Sequence, residues 1–117
     1  MSKKTPLILS LIALAAIGCT TVAPVEYHRP ADATATVYRI GGEYDPNIGL
    51  AGEVSIMIDE QTVVTEELPA FWNGVEFSGV YQGRSVFVQL TKVRTFGSRY
   101  LRADVTIDGE RAASLTF

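Results

Sequence analysis

Apolar and polar residues alternate with a period of two along most of the second half of the chain. Over residues 100–107 every second side chain is apolar, and the same alternation returns over residues 112–117. Alternation of this kind places the apolar side chains on one face of a β-strand. Asp108-Gly109-Glu110 separates the two segments, and an Asp-Gly pair is typical of a tight hairpin turn. The two segments are therefore predicted to form a β-hairpin with one buried face.

Five further segments have the patterns of short strands and are separated by turn residues. Alternation is clear where Val54, Ile56 and Ile58 recur, and again over residues 86–91, which follow the turn signal Gln82-Gly83-Arg84. The full set of predicted strands is 33–40, 54–58, 62–65, 75–81, 86–91, 100–107 and 112–117. About seven short strands with no helical pattern after the N-terminal region indicate an all-β fold, a small antiparallel β-sandwich or partly open barrel.

The N-terminal residues have a different character. Lys3 and Lys4 precede an apolar stretch over residues 7–17, which is too short to span a bilayer as a helix and is typical of a secretory signal peptide. The stretch ends on Ala16-Ile17-Gly18-Cys19, which resembles the lipobox of bacterial lipoproteins. Ala16 stands where that family most often has Leu.

The resemblance implies a specific processing pathway. Cys19 is expected to be alkylated by diacylglycerol and to become the N-terminal residue after cleavage, with its amine then acylated by a fatty acid such as palmitate. Cys19 is the only cysteine of the chain, so acylation would also remove an unpaired thiol. Ordinary signal cleavage near Ala13-Leu14-Ala15 and an uncleaved anchor are the alternatives. In a host with two membranes, Thr20 after the cysteine resembles the pattern that favours the periplasmic face of the outer membrane.

These observations divide the chain into three parts. Residues 1–18 are predicted to be a cleaved signal peptide, residues 19–33 a lipidated tether, and residues 34–117 an all-β domain. The tether prediction depends on Pro24 and Pro30 and on the lack of any periodicity. An extended tether of this length could hold the domain up to roughly 40 Å from the membrane. The only histidine, His28, is expected to be a solvated residue of this tether.

The net charge excludes some partners. The chain has a formal charge of −3, and removal of Lys3 and Lys4 makes it −5. So acidic a protein is not expected to bind nucleic acid, because affinity for nucleic acid comes largely from neutralising phosphates. It is also not expected to dock electrostatically on anionic lipid headgroups, so the acyl chains alone are expected to hold it to the membrane.

The predicted domain offers little for catalysis or metal binding. It has no cysteine and no histidine, and Lys92 is its single lysine, so neither a nucleophile with a base nor a zinc site is predicted. The oxygen-rich segment Glu43-x-Asp45-x-Asn47 is too short for an EF-hand calcium loop. Glu66 and Glu67 would point to opposite faces of a strand and could not act together. We therefore predict a non-enzyme with no cofactor and no metal.

Charge is distributed unevenly along the sequence. Residues 40–80 contain eight acidic side chains and no basic one, whereas residues 81–117 contain six basic side chains and three acidic ones. The ordinary explanation is that the two halves pair across strands, so that the charges interleave on the surface. The alternative is a bipolar surface that orients a protein partner.

Trp72, the only tryptophan, lies in the turn-like segment Phe71-Trp72-Asn73-Gly74. It is expected either to fill the core or to form a platform on which a sugar ring stacks.

Together these features predict a lipid-anchored envelope domain that binds or braces another envelope protein. Arg99 and Arg102, beside the turn that opens the clearest strand, are the candidate contacts with that partner. The alternative function is a cell-wall glycan-binding module centred on Trp72. A third possibility is an inhibitor of an exogenous hydrolase that uses the loop around residues 41–52.

Overall fold

The computed structural model describes residues 20–31 and 36–117, so the predicted signal peptide and Cys19 lie outside the described residues. Within this part of the chain, no helix is long and apolar enough to cross a membrane. The described residues form nine strands: β1 (Thr21–Val22), β2 (Glu26–His28), β3 (Tyr38–Asp45), β4 (Glu53–Ile58), β5 (Gln61–Glu67), β6 (Gly74–Tyr81), β7 (Arg84–Thr95), β8 (Ser98–Ile107) and β9 (Glu110–Thr116).

The strands form two antiparallel sheets, which confirms the predicted all-β fold. The first sheet has the order β1-β3-β4-β5, and β2 pairs with the same strand β3; the second sheet has the order β6-β7-β8-β9. From β3 onward, each strand within a sheet pairs with the next one in sequence. No ladder joins β5 to β6, so the arrangement is a sandwich and not a closed barrel. Of the predicted strand 33–40, residues 33–35 lie outside the described part, and β3 begins at Tyr38.

The core lies between the two sheets and is built from the side chains that the alternation predicted. In β8, Ala103, Val105 and Ile107 are buried, whereas the residues between them are partly exposed. Val54, Ile56 and Ile58 of β4 face them from the first sheet and are fully buried. Burial of an aliphatic side chain of this size contributes about 1.5–3 kcal/mol. The predicted hairpin from residue 100 to residue 117 is therefore confirmed, with its apolar face inward.

Tight turns join the strands at one end of the sandwich, which we call the turn end. Asp59-Glu60, Gln82-Gly83 and Asp108-Gly109 each have positive φ at both residues, between 51° and 78°. Two consecutive residues of this kind match the type I′ turn, whose twist suits an antiparallel hairpin. Asp59 and Glu60 adopt this conformation without a glycine. The Asp59 side chain accepts a hydrogen bond from the backbone N–H of Arg39 at 3.0 Å, which holds the turn against β3.

The N-terminal segment differs from the tether that the sequence predicted. β1 and β2 pair antiparallel with the free edge of β3, with Thr21 opposite Tyr44 and Glu26 opposite Ile40. The register slips by one residue between the two strands, where Pro24 lies, because proline cannot donate a ladder hydrogen bond. This segment is too short and too polar to show a period of two, but an edge needs only backbone groups to extend it.

His28 also differs from its predicted solvated position. Its side chain is only 10% exposed, and Nε2 lies 3.1 Å from Oε1 of Glu110 on β9. This is an ion-pair distance, although the two atoms are not oriented as a hydrogen bond. Glu26 on the same strand accepts a hydrogen bond from the backbone N–H of Ser114 at 3.0 Å. Together these contacts attach the N-terminal strands to the edge of the second sheet.

The opposite end of the sandwich, which we call the loop end, carries the β3–β4 connection (residues 46–52), the β5–β6 connection (residues 68–73) and the β7–β8 turn (residues 96–97). The first two connections are joined by a 2.8 Å hydrogen bond from Leu68 N–H to the carbonyl of Gly52. The second also meets β7, because Lys92 N–H donates to the carbonyl of Asn73 at 3.1 Å. The described chain also begins here, since Thr21 lies opposite Tyr44 near the end of β3.

Candidate functional site

Trp72 lies in the core at the loop end. It is 7% exposed, and Nζ of Lys92 lies 4.6 Å from the centre of its ring. The ring therefore packs inside the sandwich, and Lys92 forms a cation–π contact over the face of the ring. A sugar-stacking platform needs an exposed aromatic face. Trp72 offers no such face, whereas its neighbour Phe71 is 98% exposed.

Arg102 lies on the outer face of the second sheet. Its Nε donates to Oδ2 of Asp104 at 3.2 Å, and Asp104 also accepts a hydrogen bond from the Ser114 hydroxyl at 2.9 Å. The guanidinium is thus already engaged by a neighbouring carboxylate. A partner that used Arg102 would have to compete with this contact, which makes the residue a weaker candidate than the sequence suggested.

Arg99 has a different environment from Arg102. It lies directly opposite Arg94 near the tip of the β7–β8 hairpin, and both arginines are exposed. Neither has an ion-pair partner among the described residues. Like charges in directly opposed positions destabilise a strand pair. The sequence could not show this pairing, because it depends on the register of the two strands.

The hairpin that carries these arginines extends beyond its neighbours. β6 pairs with β7 only as far as Thr91, and the last partner on the other side is Phe117, which exchanges two backbone hydrogen bonds with Leu101. Residues 93–100, the projecting hairpin, therefore have no strand on either flank. At about 3.3 Å per residue, the tip lies about 13 Å beyond the last shared hydrogen bonds. Concavities of about 550 Å³ and 340 Å³ lie against it, and both are open to solvent.

A row of carboxylates crosses the outer face of the first sheet near the loop end. Asp45 lies opposite Glu53, and Glu53 lies opposite Glu67 on the next strand. We call these three residues the acidic row. Directly opposed residues have Cβ atoms about 5 Å apart, so these charges repel one another. No lysine or arginine occurs between residues 40 and 80 to offset them. The sequence identified the acidic segment but not this register.

The two charge types thus remain separate in the folded protein. The acidic segment falls mainly in the first sheet and the basic segment falls in the second. Glu60 pairs with Arg39 inside the first sheet, at 2.8 Å, and Arg84 pairs with Asp108 inside the second, at 3.0 Å. Among the described contacts, no carboxylate of residues 43–67 pairs with an arginine beyond residue 81. In the described residues, the charges of the two halves therefore do not interleave across paired strands, which was the ordinary explanation of the charge pattern.

Two groups with raised pKa values, Tyr81 and Arg39, lie at the turn end, away from the acidic row and from the pair Arg94 and Arg99. The Tyr81 hydroxyl donates a 2.9 Å hydrogen bond to Oδ2 of Asp59, which raises the pKa of Tyr81, and its partial removal from water acts in the same direction. The hydrogen bond with Glu60, together with the charge of that carboxylate, raises the pKa of Arg39. These contacts hold the Asp59-Glu60 turn against its neighbours and do not form a reactive centre.

Within residues 20–31 and 36–117, no group of three or more histidine, cysteine, aspartate or glutamate side chains is arranged to hold a metal ion. The carboxylates of the acidic row do not form such a group, because they lie side by side on a sheet face and do not converge on a point. The predicted inhibitory loop is also altered, since residues 41–45 belong to β3 and only residues 46–52 form a connection.

The described residues form a small all-β sandwich that carries the acidic row on one sheet and the exposed pair Arg94 and Arg99 on the other. Comparison of the chain with protein-family models, with curated proteins and with solved structures finds no match.

Proposed function

We propose that this chain is a lipid-anchored, non-catalytic domain of the bacterial cell envelope that binds another envelope protein. The signal-like N-terminus and the lipobox-like segment ending at Cys19 support the anchoring. The partner would meet the domain through the acidic row, with a basic surface of its own. The proposed contact with the partner therefore lies on the sheet opposite to Arg99 and Arg102, the residues that the sequence suggested.

The observation that carries the binding proposal is the register of Asp45, Glu53 and Glu67. Three carboxylates in directly opposed positions cost folding free energy, and residues 40–80, which contain all three, have no lysine or arginine. A basic partner would relieve it on binding. Charge complementarity of this kind mainly raises the association rate and selects the partner. Anchoring in the same membrane would raise the effective concentration of the two proteins further.

Anchoring is tested by the chemical state of Cys19. Mass spectrometry of the native protein should find an N-terminal peptide that begins with a triacylated or diacylated Cys19. Cys19→Ala should abolish this modification and leave the protein either uncleaved or released in soluble form. A native N-terminus that lies downstream of residue 19 and carries no lipid would refute the anchoring.

Binding is tested by crosslinking in intact cells. A photo-crosslinking amino acid at Thr65, an exposed position on the same face as the acidic row, should give a discrete protein adduct. The same amino acid at Gln89, exposed on the outer face of the second sheet, serves as the positional control. The Thr65 adduct should be lost when Glu53→Lys and Glu67→Lys are combined.

The matched charge control is Glu76→Lys, which reverses an exposed carboxylate on the second sheet. This variant should keep the adduct. Equal adduct yields from the double reversal and from Glu76→Lys would refute the acidic row as the docking surface. An adduct formed at Gln89 and not at Thr65 would place the partner on the other sheet.

A further inference from the structure

The connections at the loop end each present an exposed apolar side chain to solvent. Leu50 is 84% exposed, Phe71 is 98% exposed, and Phe96, at the tip of the projecting hairpin, is fully exposed. The three residues come from three different connections, so no single local pattern explains them. Exposed apolar groups that share one end of a domain can enter the boundary between headgroups and acyl chains together.

The tight turns at the turn end can be compared with the connections at the loop end. The three tight turns consist of Asp59-Glu60, Gln82-Gly83 and Asp108-Gly109, and none of them contains an apolar side chain. Polar residues are the usual occupants of turns that face water. The three tight turns show that an apolar tip is not a general property of the hairpins in this fold, and the exposed Val80 near one of them lies within β6 and not in the turn.

The projecting hairpin is basic, in contrast to the acidic row, which lies on the other sheet near the same end, and to the net charge of the chain. No aspartate or glutamate occurs between Glu76 and Asp104, and within this stretch the projecting hairpin carries Arg94 and Arg99. These arginines lie opposite one another, two and three residues from Phe96. A cationic pair behind an apolar tip matches the order of layers met on entering a bilayer, with lipid phosphates outside and acyl chains inside. From the net charge alone, no electrostatic contact with anionic lipids was expected.

The expected lipid attachment lies at the same end. Thr21 pairs with Tyr44, and the Tyr44 side chain lines the same concavity as Arg94 and Arg99. Cys19 precedes Thr20, and consecutive Cα atoms are about 3.8 Å apart. Because β1 begins at Thr21, no long tether separates Cys19 from the sandwich. An acylated Cys19 would therefore hold the loop end against the membrane surface.

We propose that the loop end docks on the bilayer. Leu50, Phe71 and Phe96 insert at the boundary between headgroups and acyl chains, and Arg94 and Arg99 contact the phosphates of anionic lipids. This inference rests on the proposed lipidation of Cys19. It adds a second, non-covalent attachment that fixes how the domain stands on the membrane. In this orientation the acidic row faces sideways, toward proteins in the same membrane.

The test measures the depth of single positions in the membrane. Full-length protein purified from membranes would carry Phe96→Cys, labelled with an environment-sensitive dye, and would be reconstituted into vesicles of phosphatidylethanolamine and phosphatidylglycerol. Gln61→Cys, exposed beside a tight turn at the turn end, is the control label. Nitroxide groups on the lipid acyl chains should quench the label at residue 96 and leave the label at residue 61 unquenched.

Removal of charge tests the role of the arginines. Arg94→Gln with Arg99→Gln should lower the ratio of docked to undocked domain by about fivefold for each charge removed, as calculated from the quenched fraction. Arg111→Gln, at an exposed position beside the turn end, should leave this ratio unchanged. The effect of the arginines should diminish in vesicles of phosphatidylcholine alone and at high salt.

Failure of the inference can be told apart from failure of the anchoring. The chain without an introduced cysteine takes up no dye if Cys19 is acylated, so labelling of this chain would refute the anchoring itself. Acylated protein in which residue 96 is quenched no more than residue 61 would refute the docking and leave the anchoring intact. Quenching at residue 96 that is equal with and without the two arginines would refute their contact with phosphate.

Discussion

The contact between Gly42 and Phe117 allows a quantitative test of how the C-terminus is held. A Cβ atom added at Gly42 would lie 2.8 Å from Cζ of Phe117 and 3.1 Å from Cδ1 of Leu115. The aromatic ring of the last residue thus occupies the space that a side chain on β3 would need. Backbone hydrogen bonds of 2.9 and 3.2 Å with Leu101 hold Phe117 in this position, so the ring can move only by losing contacts.

Gly42→Ala is therefore expected to destabilise the domain by about 1–2 kcal/mol. Overpacking of this kind costs about 1–3 kcal/mol, and loss of backbone freedom in the unfolded chain offsets about 0.4–1 kcal/mol of it. Phe117→Ala should cost about 2 kcal/mol, less than a fully buried phenylalanine because the ring is only partly buried. When both changes are combined, the added methyl group enters the space left by the ring. The double variant should then cost about as much as Phe117→Ala alone.

Denaturant unfolding of the four proteins in a double-mutant cycle measures this coupling. The two changes should couple favourably by about 1–2 kcal/mol, which corresponds to about 4–16 °C in melting temperature for a domain of this size. Costs that add within about 0.3 kcal/mol would show that Phe117 does not rest on Gly42. Deletion of residues 115–117 should be more severe than either single change, because it also removes the buried Leu115.

Three further changes have defined expected outcomes. Val105→Asp places a carboxylate in the core and should unfold the domain, whereas Thr106→Asp, opposite Arg111, should change stability by under about 1 kcal/mol; equal thermal shifts would mean that the faces of β8 are misassigned. Glu53→Gln with Glu67→Gln should raise stability by about 0.2–1 kcal/mol in chemical denaturation while weakening the Thr65 adduct, and a loss of stability would contradict the repulsion. Because the pKa of Tyr81 is raised, the contribution of its hydroxyl to stability is present below about pH 10 and is lost as the pH rises through the folded-state pKa. Tyr81→Phe should therefore lose less stability at alkaline pH than the unchanged chain.

The alternation of apolar residues was sufficient to predict the fold class and most of the core. Residues 86–91 and 100–107 pointed to the correct buried faces because a strand exposes alternate side chains to opposite sides, whatever its partners are. The turns after residues 58, 81 and 107 were equally local, since a type I′ turn depends on two residues. The predicted strand ends were less accurate, and β7 extends four residues beyond residue 91.

The pairing of the N-terminal segment could not be read in the same way. Residues 21–28 have no alternation, and their strands exist because β3 offers a free edge of backbone groups. Edge pairing of this kind uses main-chain atoms, which every residue has except for the proline N–H. The side chains therefore leave no signal in the sequence. His28 became a buried contact of Glu110 for the same reason.

The sequence by itself determined the strand periodicity, the tight turns, the lipobox-like segment and the uneven charge, because each depends on residues that are neighbours in the chain. Only the tertiary structure decided that Trp72 lies in the core, that Asp45, Glu53 and Glu67 are opposed, and that Arg94 faces Arg99. It also brought three apolar loop tips and the start of β1 to one end. These properties depend on register and on the packing of distant segments, and no local pattern specifies either of them.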